Sequence, residues 1–306
     1  MTRLRPAGVR AVTLVAGVAL AAGCSGSALS GQQEAGQARD AMSSAPAGAQ
    51  APPRRDAGPA PSTGADTQPP NSYSDWQVGE KPLPVRSDGF GEVLPTPPEL
   101  RQRRLPTPES LATQPDDRFR SSVHRIGPEV RERMGESWRP GCPMDLDDLR
   151  YVRLSFWGFD DRAHVGELIV HHRAAQDITR VFEKLFRAEF PIERMRIVTS
   201  PELPAEPTGD GNNTAAFVCR QARQQADWSA HAYGLAVDIN PFQNPYHRDD
   251  LVLPERASAY LDRSRERPGM IHPDGVVTRA FAEVDWTWGG SWHEPRDYMH
   301  FSATGH

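Results

Sequence analysis

Proline and histidine divide this chain between them. Of its 29 prolines, 16 lie before residue 121, and all 10 histidines lie after it. A stretch so rich in Pro, Ala, Gly and Ser cannot bury enough apolar surface to offset the entropy of ordering it. A packed core is therefore expected only from Ser121 onward, where about 185 residues suffice for one sizeable domain. Net charge is −5, from 35 basic and 40 acidic residues, and nothing in it suggests a nucleic-acid binder. No apolar run reaches the ~18 residues of a membrane-spanning helix, so a polytopic membrane protein is excluded.

The start of the chain reads as an address. Arg3, Arg5 and Arg10 precede an apolar stretch from Ala11 to Ala22, followed by Gly23 and Cys24. A positive segment, a short apolar one and small residues before a cut describe a secretory signal. With Cys directly after Ala-Ala-Gly, residues 1–23 resemble a bacterial lipoprotein signal peptide, in which Cys24 is lipidated and becomes the mature first residue. An ordinary cleaved signal with an incidental Cys is the alternative. Either reading implies export, a compartment where disulfides form. Residues 24–120 read as a disordered Pro/Ala-rich tether, in which Tyr73, Trp76 and Phe90 could dock without forming a fold of their own. Such a tether would let an enzyme anchored to the outer face of the membrane reach into a surrounding polymer.

From Ser121 the pattern changes. Leu149–Trp157 alternates apolar and polar residues like a strand, and Gly166–Val170 reads as a second. A helix is expected over about Arg173–Phe190, with Ile178, Val181, Phe182, Leu185 and Phe186 in one apolar stripe, stopped by Pro191. Arg194–Val198 reads as a third strand, Thr214–Trp228 as a helix capped by Asn213 or Thr214, and Leu235–Ile239 and Tyr298–Phe301 as short strands. Helical pieces are expected near Pro254–Arg263 and Thr278–Val284. Strands and helices do not alternate regularly, which favours an α+β fold with a small, mainly antiparallel sheet and flanking helices.

The chemistry-bearing residues gather in two segments. In Ser229-Ala-His231-Ala-Tyr-Gly234-Leu-Ala-Val-Asp238, a His before a Gly-containing turn and an Asp on the returning strand can point at one spot. Imidazole and carboxylate both suit zinc. The second segment, Trp292-His293-Glu294-Pro-Arg-Asp297-Tyr-Met-His300-Phe301, offers His300 as a third ligand and Asp297 as a carboxylate beside it. Three protein ligands leave a fourth position for water, the arrangement of a catalytic site. A buried, hydrogen-bonded His and an ordinary Asp ion pair account for the same spacing.

The Ser-x-His-x-x-Gly-x-Ala-x-Asp motif at 229–238, followed by Asp-x-x-His-Phe at 297–301, resembles the D-alanyl-D-alanine carboxypeptidase-like (VanY-type) zinc peptidases of bacterial peptidoglycan. The resemblance extends over roughly 141–302, including Gly141-Cys142-Pro143, Phe190-Pro191-Ile192, Asn213–Phe217 and Trp286-x-Trp288-Gly289-Gly290. It implies a small α+β domain shared with hedgehog signalling domains. It also implies zinc held by His231, Asp238 and His300, with Asp297 as general base. Some relatives carry Glu at the base position; the shorter Asp297 resembles the L-alanyl-D-glutamate endopeptidase branch. Arg220 matches an Arg that holds a substrate carbonyl oxygen or terminal carboxylate, although the family's usual Tyr-Arg-Ser stretch is absent, and a surface helix Arg fits equally.

Ser229 either hydrogen-bonds substrate or caps its turn. Trp286, Trp288 and Trp292 either wall the cleft, Trp288 being the candidate substrate contact, or pack in the core. His293 and Glu294 read as loop residues, and His171 and His172 as solvated residues at a helix start. Cys142 and Cys219 suggest a disulfide, one Cys lying before the first strand and the other on the expected Thr214–Trp228 helix. It would close a loop worth roughly 4 kcal/mol of chain entropy; a Cys ligand to zinc is the rival reading. The function expected is zinc-dependent hydrolysis of peptidoglycan stem peptides by a monomer, as a D-Ala-D-Ala carboxypeptidase or an L-Ala-D-Glu endopeptidase. The alternative is a non-catalytic wall-binding lipoprotein of the same fold.

Overall fold

The computed structural model describes residues 73–305, apart from 109, 110, 112, 113, 204 and 223–225. The expected signal peptide, Cys24 and the tether as far as residue 72 lie outside the described residues. In chain order the elements are β1 (Ser121–Arg125), α1 (Pro128–Met134), β2 (Leu149–Trp157), β3 (Ala163–His171), α2 (Ala175–Arg187), β4 (Arg194–Met195), β5 (Asn213–Thr214), β6 (Ala236–Asp238), β7 (Tyr246–Arg248), β8 (Leu251–Leu253), α3 (Val276–Ala282), β9 (Thr287–Trp288), β10 (Arg296–Asp297) and β11 (His300–Ser302). The fold is α+β, with three small antiparallel sheets ordered β1-β2-β3, β10-β7-β8 and β6-β11-β9. A fourth pairing, β4 with β5, is parallel.

The core forms where the apolar faces of these elements meet. Alternation along β2 and β3 sends Val152, Leu154, Phe156, Leu168 and Val170 to one face. Against it packs the α2 stripe of Ile178, Val181, Phe182, Leu185 and Phe186, each of them buried. Val237 of β6, Phe301 of β11 and Phe281 of α3 complete the same cluster. Among the described residues no helix is long and apolar enough to cross a membrane.

Several expected elements differ. Thr214–Trp228 forms no helix over its described residues: β5 is followed by extended chain, and Ala215 exchanges both backbone hydrogen bonds with Asp238, at 3.1 and 2.9 Å. Long-range pairing with the β6 strand overrides local helix preference here. The strand at Arg194–Val198 shrinks to two residues, and the Pro254–Arg263 helix to a single 3-10 turn, Ser258–Leu261. His171 is not solvated; it is buried at the end of β3, where its backbone N–H donates to Gly234 O at 2.8 Å. Its ring stacks on His172, and burial lowers its pKa. The hairpin β7–β8 carries no sequence signal that marks it.

The boundary expected at residue 120 also moves. From Tyr73 onward the chain packs on the domain, burying Trp76, Leu83, Phe90, Leu100 and Leu105. Its anchor is Arg103, whose side chain is fully buried and paired with Glu193. Nε and Nη2 donate to the two Glu193 oxygens at 2.7 Å each, Nη1 donates to Asp210 O at 2.8 Å, and the guanidinium lies over the Phe242 ring. Trp76 Nε1 donates to the Asp210 carboxylate at 2.8 Å. Composition marks this segment as unable to build its own core, and it does not; it borrows one.

Candidate metal centre

The register of one ladder brings the candidate ligands together. β6 and β11 pair antiparallel with His300 opposite Asp238 and Phe301 opposite Val237. Side chains alternate across a strand, so Val237 and Phe301 enter the core while Asp238 and His300 share the other face. His300 Nδ1 lies 3.0 Å from Asp238 Oδ1, and His231 Nε2 lies 3.2 Å from Asp238 Oδ2. One ligand atom from each of these three residues lies within 4.8 Å of the others.

His231 comes from a turn built for it. The 3-10 turn Ala230–Tyr233 is capped by Ser229, whose hydroxyl accepts the His231 N–H, and ends at Gly234 with φ 64°. A Cβ on Gly234 would lie 2.5 Å from the His171 nitrogen, so only glycine fits. His231 Nδ1 donates to Ala216 O at 2.6 Å, which orients the ring and turns Nε2 toward Asp238. That acceptor belongs to the segment whose sequence predicts a helix. A helix would have turned the carbonyl along its own axis, and the extended chain aims it at the imidazole.

The disulfide Cys142–Cys219 is present, with its Cα atoms 5.7 Å apart. Together with the Cys219 N–H to Ser137 O bond of 2.9 Å, it clamps the chain that carries Ala216 and Arg220. Neither sulfur is available as a metal ligand.

Asp297 sits on β10, three residues before His300, with the Gly289 turn against it. A Cβ on Gly289 would meet the Asp297 carbonyl oxygen at 2.8 Å. Asp297 Oδ1 is buried without a hydrogen-bond partner. Burial, helped by the Asp238 charge, outweighs the lowering influence of His300, the Met299 N–H and Arg220 and raises this carboxyl to about 7. Asp238 behaves oppositely. Burial resists its ionisation, but His231 and His300 outweigh that and hold it well below the usual carboxylate range.

The other candidates fall into place around this cluster. Arg220 is half-buried on extended chain rather than on a helix, close enough to Asp297 to act on its charge. Ser229 caps its turn. Trp288 stacks toward Phe301 and donates its indole N–H to Tyr298 O at 2.9 Å, and Trp286 is core. The indole beside the cluster is that of Trp292, 5.6 Å from the His300 ring. His293 and Glu294 are exposed, as expected of loop residues.

Two imidazoles and a carboxylate on three separate elements, with a second carboxylate alongside, fit a zinc ion in donor type and number. Residues 222–303 match the D-alanyl-D-alanine carboxypeptidase family. No curated protein and no solved structure matches the chain. The matched stretch contains His231, Asp238, Asp297 and His300, and supports a peptidase of this general family. It begins after Arg220 and Cys219, so the clamp and the strands β1–β3 beneath the site lie beyond it.

Proposed function

We propose that this chain is a zinc-dependent peptidase acting on peptidoglycan stem peptides outside the cytoplasmic membrane, anchored there through lipid on Cys24. The observation that carries the reading is the His231–Asp238–His300 convergence with the Asp297 carboxylate, its Oδ1 buried without a hydrogen-bond partner, beside it. His231, Asp238 and His300 would hold the metal. Bound there, zinc would polarise the scissile carbonyl and lower the pKa of water to ~7.

Asp297 takes one proton from the attacking water and delivers it to the leaving amine as the C–N bond breaks; the water oxygen remains on the acyl carbon. Arg220 lies on the Asp297 side, where a cation can hold the developing negative oxygen or a substrate carboxylate. The Trp292 ring, against His300, is better placed than Trp288 to limit where the peptide lies. The disulfide supports an exported, oxidising setting.

Removal of terminal D-Ala and cleavage of L-Ala–D-Glu are the two activities this machinery could perform. The test is zinc content and digestion of defined muropeptides, for the wild-type chain and His231→Ala. One zinc per chain, with metal and hydrolysis both lost in the variant, supports the reading. Release of a single alanine identifies a carboxypeptidase and release of a whole stem peptide an endopeptidase. A folded wild-type chain without zinc or hydrolysis overturns the enzyme and leaves a wall-binding domain.

A further inference from the structure

The site and its match to residues 222–303 leave one large feature without a role: the segment 73–105, which wraps the domain from outside the matched stretch. Its contacts are not spread evenly. Trp76 and Leu100 belong to a second apolar cluster with Phe242, Val252, Ala257, Tyr260 and Met270, and Val252 lies on β8. At the tip of the β7–β8 hairpin, Arg86 pairs with Asp250 at 3.1 Å. Just past β8, the Gly91 N–H donates to Glu255 Oε1 at 2.9 Å and Thr96 Oγ1 donates to Arg256 O at 2.6 Å. One flank of the hairpin is thus held by this strap.

The other edge of the hairpin holds the base. β10 is two residues long, and its ladder is with β7, setting Asp297 opposite Tyr246 and Arg296 opposite His247. The ligand strands are supported differently. β6 and β11 rest on the main core cluster through Val237 and Phe301, and the buried members of that cluster all lie at or beyond Val152. β10 is therefore backed on one side by the Gly289 turn and on the other by the β7–β8 hairpin, and it is the hairpin side that the strap holds.

We propose that residues 73–105 are a positioning strap for Asp297: by pinning the β7–β8 hairpin from behind, they hold β10 and its carboxylate at working distance from the His231–Asp238–His300 cluster. The inference rests on Asp297 being the base. Loosening the strap should displace the base while leaving the ligands in place, and displacement of a catalytic group by ~1 Å costs up to about 100-fold in rate.

The experiment uses the full chain with Trp76→Ala, Trp76→Phe and the milder Leu100→Val, and Asp297→Asn as control. Readouts are near-ultraviolet circular dichroism, zinc affinity by chelator competition, and kcat and KM on a defined muropeptide. In Trp76→Ala, kcat falls at least about tenfold, with KM and zinc affinity unchanged; Trp76→Phe recovers most of the loss, and Leu100→Val falls in between. A merely stabilising strap would lower the melting temperature and leave kcat of the folded protein intact. Wild-type kcat in folded, zinc-loaded Trp76→Ala overturns the inference, and if that variant does not fold, wild-type kcat in Leu100→Val does so. Retention of kcat in Asp297→Asn overturns the base assignment instead, so the two failures are told apart.

Discussion

Asp238 and His300 face each other across the β6–β11 ladder, carboxylate Oδ1 to imidazole Nδ1 at 3.0 Å. Sixty-two residues separate them in the chain, yet the pairing register alone makes them neighbours. A slip of one residue would bury Asp238 in the core and turn Val237 to the site, so the Phe301–Val237 contact with the core is also what sets the ligand geometry.

Asp238→Asn tests that geometry with the shape kept. An amide has neither the charge nor the second anionic oxygen that faces His231. Loss of one residue that merely orients a ligand already costs about 10–100-fold in metal affinity, so removal of a ligand charge should cost at least about 100-fold. Competition with a chelator reads this directly. Zinc affinity within a few-fold of wild type would remove Asp238 from the ligand set.

The clamp gives a second prediction. Cys219 lies three residues beyond Ala216, whose carbonyl orients the His231 ring. Replacing Cys142 and Cys219 by Ser together should remove roughly 4 kcal/mol of stability, read as a lower urea midpoint. It should also weaken zinc binding by up to about tenfold, because the carbonyl loses its tether. An unchanged midpoint would show that the disulfide contributes little beyond the packing around it.

The sequence made some parts legible and hid others for identifiable reasons. Leu149–Trp157 and the Ile178–Phe186 stripe are readable because each buries one face with its own period, 2 for the strand and 3.6 for the helix. His231, Asp238, His300 and Asp297 stand out through the resemblance of 229–238 and 297–301 to a family motif, since their spacing alone fits a buried His and an ordinary ion pair as well. The segment after Asn213 was not legible, because its extended form is imposed by Asp238 and by Cys142, both distant in the chain. Residues 73–105 were not, because a strap that borrows a core shows none of its own. Arg103 looks like a solvated charge in any local window, and its partner Glu193 is 90 residues away.

Asp297 carries a pH prediction for the metal-free protein. Its folded pKa, about 7, lies above the unfolded value near 3.8. The folded state therefore keeps the proton longer, and the stability that proton contributes is present at low pH and lost as pH rises from about 4 toward 7. Asp297→Asn has no such proton to lose. Metal-free Asp297→Asn should melt above metal-free wild type at pH 8, by roughly 2–4 °C for each kcal/mol relieved, and the gap should close near pH 4, while hydrolysis is lost. Equal melting temperatures at pH 8 would mean that Asp297 ionises without strain.

Arg103 and Glu193 set the last prediction. Their side chains are 0% and 7% exposed, so removing either leaves a buried charge without its partner. Arg103→Met should cost about 3–5 kcal/mol, whereas the double variant Arg103→Met/Glu193→Gln should cost less, because no ion is then stranded. A chain that begins at Ser121 makes the same deletion wholesale: Glu193 and the Asp210 carboxylate lose Arg103 and Trp76 at once, and Phe242 and Tyr260 lose their cover. Such a chain should fail to unfold cooperatively in urea, while one that begins at Tyr73 should show a single sharp transition. Equal midpoints for the two chains would return the boundary to residue 120 and make the strap an accessory.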